Sequence, residues 1–185
     1  MPERRRLLLA CAALAVAARR AAAQDLATAA PPEVLAELPG ARPQGQGRLR
    51  FFGLHVYDMR LWTAARGVTA DDWSMPLALE ITYARALVGR QIAERSLDEM
   101  KRQTTVRPEQ GERWLAAMST LFPDVKAGDR LTGVQRPGEG ARFFLNGALR
   151  GEVRDADFAR LFFGIWLAPQ TSEPRLRENL LGAAR

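Results

Sequence analysis

The stretch Phe122–Gly182 decides the fold, and it reads in two halves. FPDVKAGDRLTGVQRPGEGARFFLNGALRGEV, from Phe122 to Val153, alternates strand-like runs with Pro-Gly and Asn-Gly turn signals. DADFARLFFGIWLAPQTSEPRLRENLLG, from Asp155 to Gly182, then changes to helical spacing. Strands are expected over Asp129–Arg136, Ala141–Asn146 and Ala148–Val153, a meander. Asn146-Gly147 is the favoured pair for a tight type I′ turn, whose two central residues both need positive φ. Phe158, Leu161, Phe162, Ile165 and Trp166 fall at i, i+3, i+4, i+7 and i+8, the stripe of a buried helix face. A last helix, Glu173 to Leu181, is opened by Thr171 or Ser172 and closed by Gly182.

Upstream, GRLRFFGLHVYDMRLWTA (Gly47–Ala64) reads as one long strand, partly covered on both faces because its second side is polar only at Arg50, Asp58 and Arg60. Asp71-Asp72 with Pro76 marks a loop, and LALEITYA (Leu77–Ala84) alternates as a second strand. Two helices follow. Gly89 to Thr104 aligns Ile92, Ala93, Leu97 and Met100; Arg107 to Phe122 aligns Trp114, Leu115, Met118, Leu121 and Phe122, and Pro123 ends it. Strands, two helices, a meander and two more helices imply an α+β fold, a large antiparallel sheet with helices on one face. With 185 residues, 47% of them hydrophobic, a single domain over 47–185 has enough material for a core. Residues 24–46, rich in Ala, Pro and Gly, read as a flexible segment in which Val34, Leu35 and Leu38 support one short helical turn or a strand.

The formal charge of +6 is concentrated at the start. Residues 1–23 hold Arg4, Arg5, Arg6, Arg19 and Arg20 against Glu3; without them, 27 basic and 21 acidic residues become 22 and 20. The remaining charges are interspersed, which argues against a nucleic-acid partner. The same segment has the three parts of an export signal: a basic start, an apolar run from Leu7 to Ala18, and small residues Ala21-Ala22-Ala23 before Gln24. Cleavage is expected after Ala23, with Ala17 as the other site. Twelve apolar residues are too few to span a bilayer, which takes about 20. Cys11 has only four apolar residues before it, a poor lipoprotein signal. The expected location is the periplasm, and the expected mature chain holds no cysteine and no membrane span.

Groups able to carry chemistry are few. His55 is the single histidine, so a His-based metal site or a Cys/His dyad is excluded, and it reads as a structural strand residue. No serine lies in a nucleophile elbow. Asp155 and Asp157 read as helix N-terminal acids, and Gly138-Glu139-Gly140 as a turn without the following helix that a phosphate cradle needs. No metal and no cofactor is expected. Tyr57 and Tyr83, the chain's two tyrosines, each sit among apolar strand residues, where a phenol needs a hydrogen-bond partner. Arg50, Arg85 and Arg142, on or beside strands, are candidate cations for a carboxylate.

FFGLHVYDMRLW, LEITYARALVGRQIAERSLDEM, LFPDVKAGDRLTGV, RFFLNGALRGEV and FGIWLAPQTSEPRLRENLLG, in this order, resemble the exported bacterial chalcone isomerase-like family over about Gly47 to Gly182. The resemblance implies a cleft between sheet and helices. Plant relatives divide into true isomerases and fatty-acid-binding proteins that hold a carboxylate with Arg and Tyr. Against the isomerase pattern, Phe52 stands where a catalytic Thr is expected, Ile92 where a catalytic Tyr is, and Glu99 in place of an Asn. Arg42, Arg48 and Arg50 all compete for the family's strand Arg. Losing a hydroxyl pair removes the donors that would stabilise an enolate. The expectation is therefore a non-catalytic binder of a small apolar or amphipathic acid, such as a fatty acid, with Tyr57, Tyr83, Arg50 and His55 as ligand-binding residues. Two other classes stay open: an isomerase or lyase on a carbonyl compound using Tyr57, Tyr83 or His55, and an envelope module whose apolar C-terminal helix docks a partner. The oligomeric state is left open.

Overall fold

The computed structural model describes residues 29–182, so the expected signal segment 1–23 and both cleavage sites lie outside the described residues. Six strands form one antiparallel sheet in sequence order: β1 (Arg42–Phe51), β2 (Leu54–Thr63), β3 (Leu77–Tyr83), β4 (Arg130–Arg136), β5 (Gly140–Leu145) and β6 (Ala148–Val153). Among the described residues five helices accompany it: α1 (Pro32–Glu37), α2 (Gly89–Lys101), α3 (Pro108–Leu121), α4 (Ala156–Leu167) and α5 (Pro174–Leu181). The α+β architecture is the expected one.

Strand alternation sorts the side chains between two faces. Met59, Leu61, Leu79, Ile81, Leu131 and Phe143 join the large core under α2–α5. Within that core Phe158 and Phe162 of α4 stack at 5.5 Å, and both meet Phe143 edge-on at 6.2 and 5.1 Å. Asp155 fixes the start of α4: its Oδ1 accepts the Phe158 N–H at 3.0 Å and its Oδ2 the Trp114 indole N–H at 2.9 Å. One carboxylate thus caps α4 and ties it to α3. At α5 the expected opener is displaced by two or one residues. Glu173 is the N-cap, and the Thr171 hydroxyl accepts the Glu173 N–H at 3.1 Å just ahead of it.

The opposite face differs from the one-sided arrangement expected. Val34 of α1 packs there with Trp62, Ala78, Val134 and Phe144 in a second, smaller core. Beside it the buried Glu33 carboxylate accepts from Arg130 at 2.8 Å and from the Thr132 hydroxyl at 3.1 Å, while the Trp62 indole donates to buried Glu80 at 2.7 Å. Glu33 and Glu80 thus accept from one nitrogen of Arg130, from Thr132 and from Trp62, donors that apolar residues there would leave unpaired.

The long strand expected over 47–64 is two strands folded into a hairpin. Phe52 (φ 47°) and Gly53 (φ 79°) occupy the two central turn positions, and Phe51 pairs with Leu54. The segment expected to be flexible to residue 46 contains α1 and the first five residues of β1. Its glycines have a packing reason. A side-chain carbon at Gly45 would lie 2.2 Å from the Leu180 carbonyl oxygen, and one at Gly47 would lie 2.4 Å from the Leu176 Cδ1, so only glycine lets α5 lie against β1. Gln44 locks that approach, donating from Nε2 to the Val68 and Leu181 carbonyls at 2.7 and 3.0 Å. The Asn146–Gly147 turn is formed as read, with φ 51° and 87°.

Candidate functional site

Tyr57 and Tyr83 are Cα partners across β2 and β3, under the helix layer. Their rings meet edge-on with centroids 6.2 Å apart. Tyr83 is 3% exposed. Tyr57 is half-buried as a residue, but its hydroxyl end is deep, where it accepts the Trp166 indole N–H at 2.9 Å. An accepted N–H leaves the phenolic proton free to donate to a further acceptor. Burial pushes both phenols well above their ordinary pKa, so both stay protonated donors near neutrality.

Charges gather around Tyr57. Glu99 of α2 is buried and holds Arg95 at 2.6 Å, one turn earlier on the helix, and Arg102, its C-cap residue, at 3.4 Å. Glu99, Arg95 and Glu173 all act electrostatically on the Tyr57 hydroxyl. The Glu173 carboxyl is itself raised above its ordinary pKa, first by burial and then by the charge of Glu99. One strand pair, the middle of α2, the end of α4 and the start of α5 therefore converge on one phenol. Arg95 and Arg102 offset Glu99, which leaves Glu173 as the carboxylate near the phenol with no cation in ion-pair distance among the described residues.

The other expected ligand-binding residues sit elsewhere. Arg50 and His55 are Cα partners near the hairpin tip. Arg50 is exposed and donates to the Gly53 carbonyl at 3.2 Å. His55 Nε2 lies 3.2 Å from Asp58 Oδ2, and Asp58 also accepts from Arg48 at 2.7 Å. Arg42 and Arg48, the other candidates for the strand arginine, are likewise exposed on β1. Arg85 is exposed just past β3. Arg142 is committed: it donates to Glu37 at 2.8 Å and Glu152 at 3.1 Å. It lines an open groove of about 360 Å³ with Arg136, Glu139, Glu152 and Arg154, apart from the tyrosines. The cations and anions of that groove pair with one another, Arg154 with Glu152 and Arg136 with Glu139, so its charges are spent internally. We place the site at Tyr57 rather than in this groove.

Sequence reasoning found the tyrosine pair but not Glu99, Arg95, Trp166 or Glu173 as its neighbours. For Glu99 a signal existed: an acid with arginines four before and three after it. Trp166 was read as core, which its 8% exposure bears out, but its indole N–H needed an acceptor and pointed to a phenol. Phe52, which the resemblance sets against a catalytic Thr, is an exposed turn residue.

Residues 44–182 match the family described as chalcone isomerase-like. The chain is 30% identical over 146 residues to an uncharacterized protein of Haemophilus influenzae, spanning 78% of this chain and 69% of that one. Its fold is similar to the crystal structure of an Arabidopsis thaliana fatty-acid binding protein, with a TM-score of 0.61 and 12% identity, covering 77% of this chain and 87% of the other.

Proposed function

The chain belongs to the chalcone isomerase-like family, and from that premise we propose that it is an exported, non-catalytic protein of the periplasm. Its ligand is a small apolar or amphipathic molecule, with fatty acids the first class to test, seated between sheet and helices at Tyr57. The observation that carries this reading is the Tyr57 phenol, oriented by Trp166 and left with a proton to donate between the sheet and the helices. The named fatty-acid binding protein of similar fold supports an apolar chain as the ligand's body. The export pattern of residues 1–23 supports the location.

The charges near Tyr57 refine the headgroup. Glu173, with no cation in ion-pair distance among the described residues, repels a carboxylate, so a neutral acceptor oxygen is favoured there: a protonated acid, an ester or a carbonyl. A general-base role for the two tyrosines is disfavoured as well. A phenol raised above its ordinary pKa by burial is a poor general base near neutrality. Docking through the apolar C-terminal helix is also disfavoured, because α4 spends its apolar stripe on the core and Trp166 is buried. Native mass spectrometry of protein purified from the periplasm tests the reading. A co-purifying apolar acid or ester that is lost from Tyr57→Phe is the expected result. An empty protein that takes up no acyl or aromatic acid contradicts it.

A further inference from the structure

The β1–β2 hairpin ends in an apolar tip that the ligand site does not use. Phe51, Phe52 and Leu54 are 61%, 88% and 56% exposed, and the two phenylalanine rings touch only edge-on at 4.6 Å. A two-residue turn with both φ positive is built most readily from Asn-Gly, so a solvent-facing Phe at φ 47° is what folding alone selects against. Cations stand behind it. The Ala84 N–H donates to the Val56 carbonyl at 2.9 Å, which brings exposed Arg85 to the same end of the sheet as the tip. Arg50 donates to the Gly53 carbonyl, and neither Arg50 nor Arg85 has a carboxylate within ion-pair distance among the described residues, whereas Arg48 is paired with Asp58.

We infer that this tip docks on an anionic lipid bilayer surface, with Phe51, Phe52 and Leu54 entering the boundary between headgroups and acyl chains and Arg50 and Arg85 meeting lipid phosphates. Aromatic side chains favour that boundary, and uncompensated guanidiniums favour an anionic leaflet. A bilayer accepts a narrow apolar point without shape complementarity. A stable protein partner needs roughly 800 Å² on each side, and a turn of three exposed apolar residues is too narrow to supply that. The inference goes beyond the ligand reading and needs nothing bound at Tyr57.

Hydrogen exchange of the full chain, followed at residues 50–55, tests it because the readout is confined to the tip. With phosphatidylcholine vesicles containing phosphatidylglycerol, exchange there is expected to slow about tenfold. Pure phosphatidylcholine or raised salt is expected to reduce the slowing, as is Arg50→Gln combined with Arg85→Gln. Phe52→Asn, which keeps the turn, is expected to abolish it, while Tyr57→Phe leaves it intact. Unchanged exchange at 50–55 with anionic vesicles, or slowing that survives Phe52→Asn, overturns the inference. Slowing that appears with rising protein concentration and no vesicles overturns it in favour of self-association.

Discussion

Phe52 occupies left-handed backbone at φ 47°, a conformation that costs a non-glycine residue about 1–2 kcal/mol. Asparagine tolerates it, so Phe52→Asn is expected to stabilise the protein by about 1 kcal/mol, read as a higher urea midpoint at constant slope. A fall in the midpoint contradicts the turn geometry. Trp166 illustrates the opposite sign: Trp166→Phe keeps most of the ring packing but leaves the deep Tyr57 oxygen without its donor, a loss of about 1–3 kcal/mol, measurable in the same experiment. At Glu173 the acid's folded-state pKa is raised, so the folded protein holds more protons than the unfolded chain between the ordinary glutamate pKa and the raised one. Stability therefore falls as pH rises through that window and is recovered below it. Glu173→Gln is expected to flatten this part of the pH–stability curve and to raise Tm at neutral pH without changing it at acid pH. A variant curve parallel to the wild type throughout contradicts the assignment.

At the scale of elements, legibility followed the turn chemistry. Asn146-Gly147 announces its hairpin because both residues accept positive φ, and β5–β6 lies where it was read. Phe52-Gly53 makes a turn of the same kind with only its second residue suited to it, so the hairpin was hidden inside an apparently continuous alternation. The helices were legible from their stripes, and α4 is buried along all of Phe158, Leu161, Phe162, Ile165 and Trp166. The α1 element was half legible, since six residues carry too little pattern to choose between helix and strand. Gly45 and Gly47 misled for a physical reason: glycines that read as flexibility are there to admit α5. Gly45→Ala, whose added carbon would meet α5 backbone, is accordingly expected to destabilise by several times the ordinary Gly-to-Ala difference of about 1 kcal/mol. A neutral or stabilising result in thermal melts contradicts the packing of α5 on β1.

For the whole molecule, the fold and the tyrosine pair were within reach of the sequence, while the charged surroundings of Tyr57 were not. Glu99 and Glu173 are 74 residues apart and come near Tyr57 together only because α4 packs against both α2 and α5. Under the function proposed above, the unpaired Glu173 in that meeting favours a neutral oxygen over a carboxylate. The most direct test is equilibrium binding of a long-chain fatty acid to wild type and Tyr57→Phe at acid and at mildly alkaline pH. The predicted result is tighter binding at acid pH, where the ligand is protonated, and a loss of about tenfold in Tyr57→Phe, the value of one buried hydrogen bond. Binding that strengthens as pH rises, or that is unchanged in Tyr57→Phe, contradicts the account.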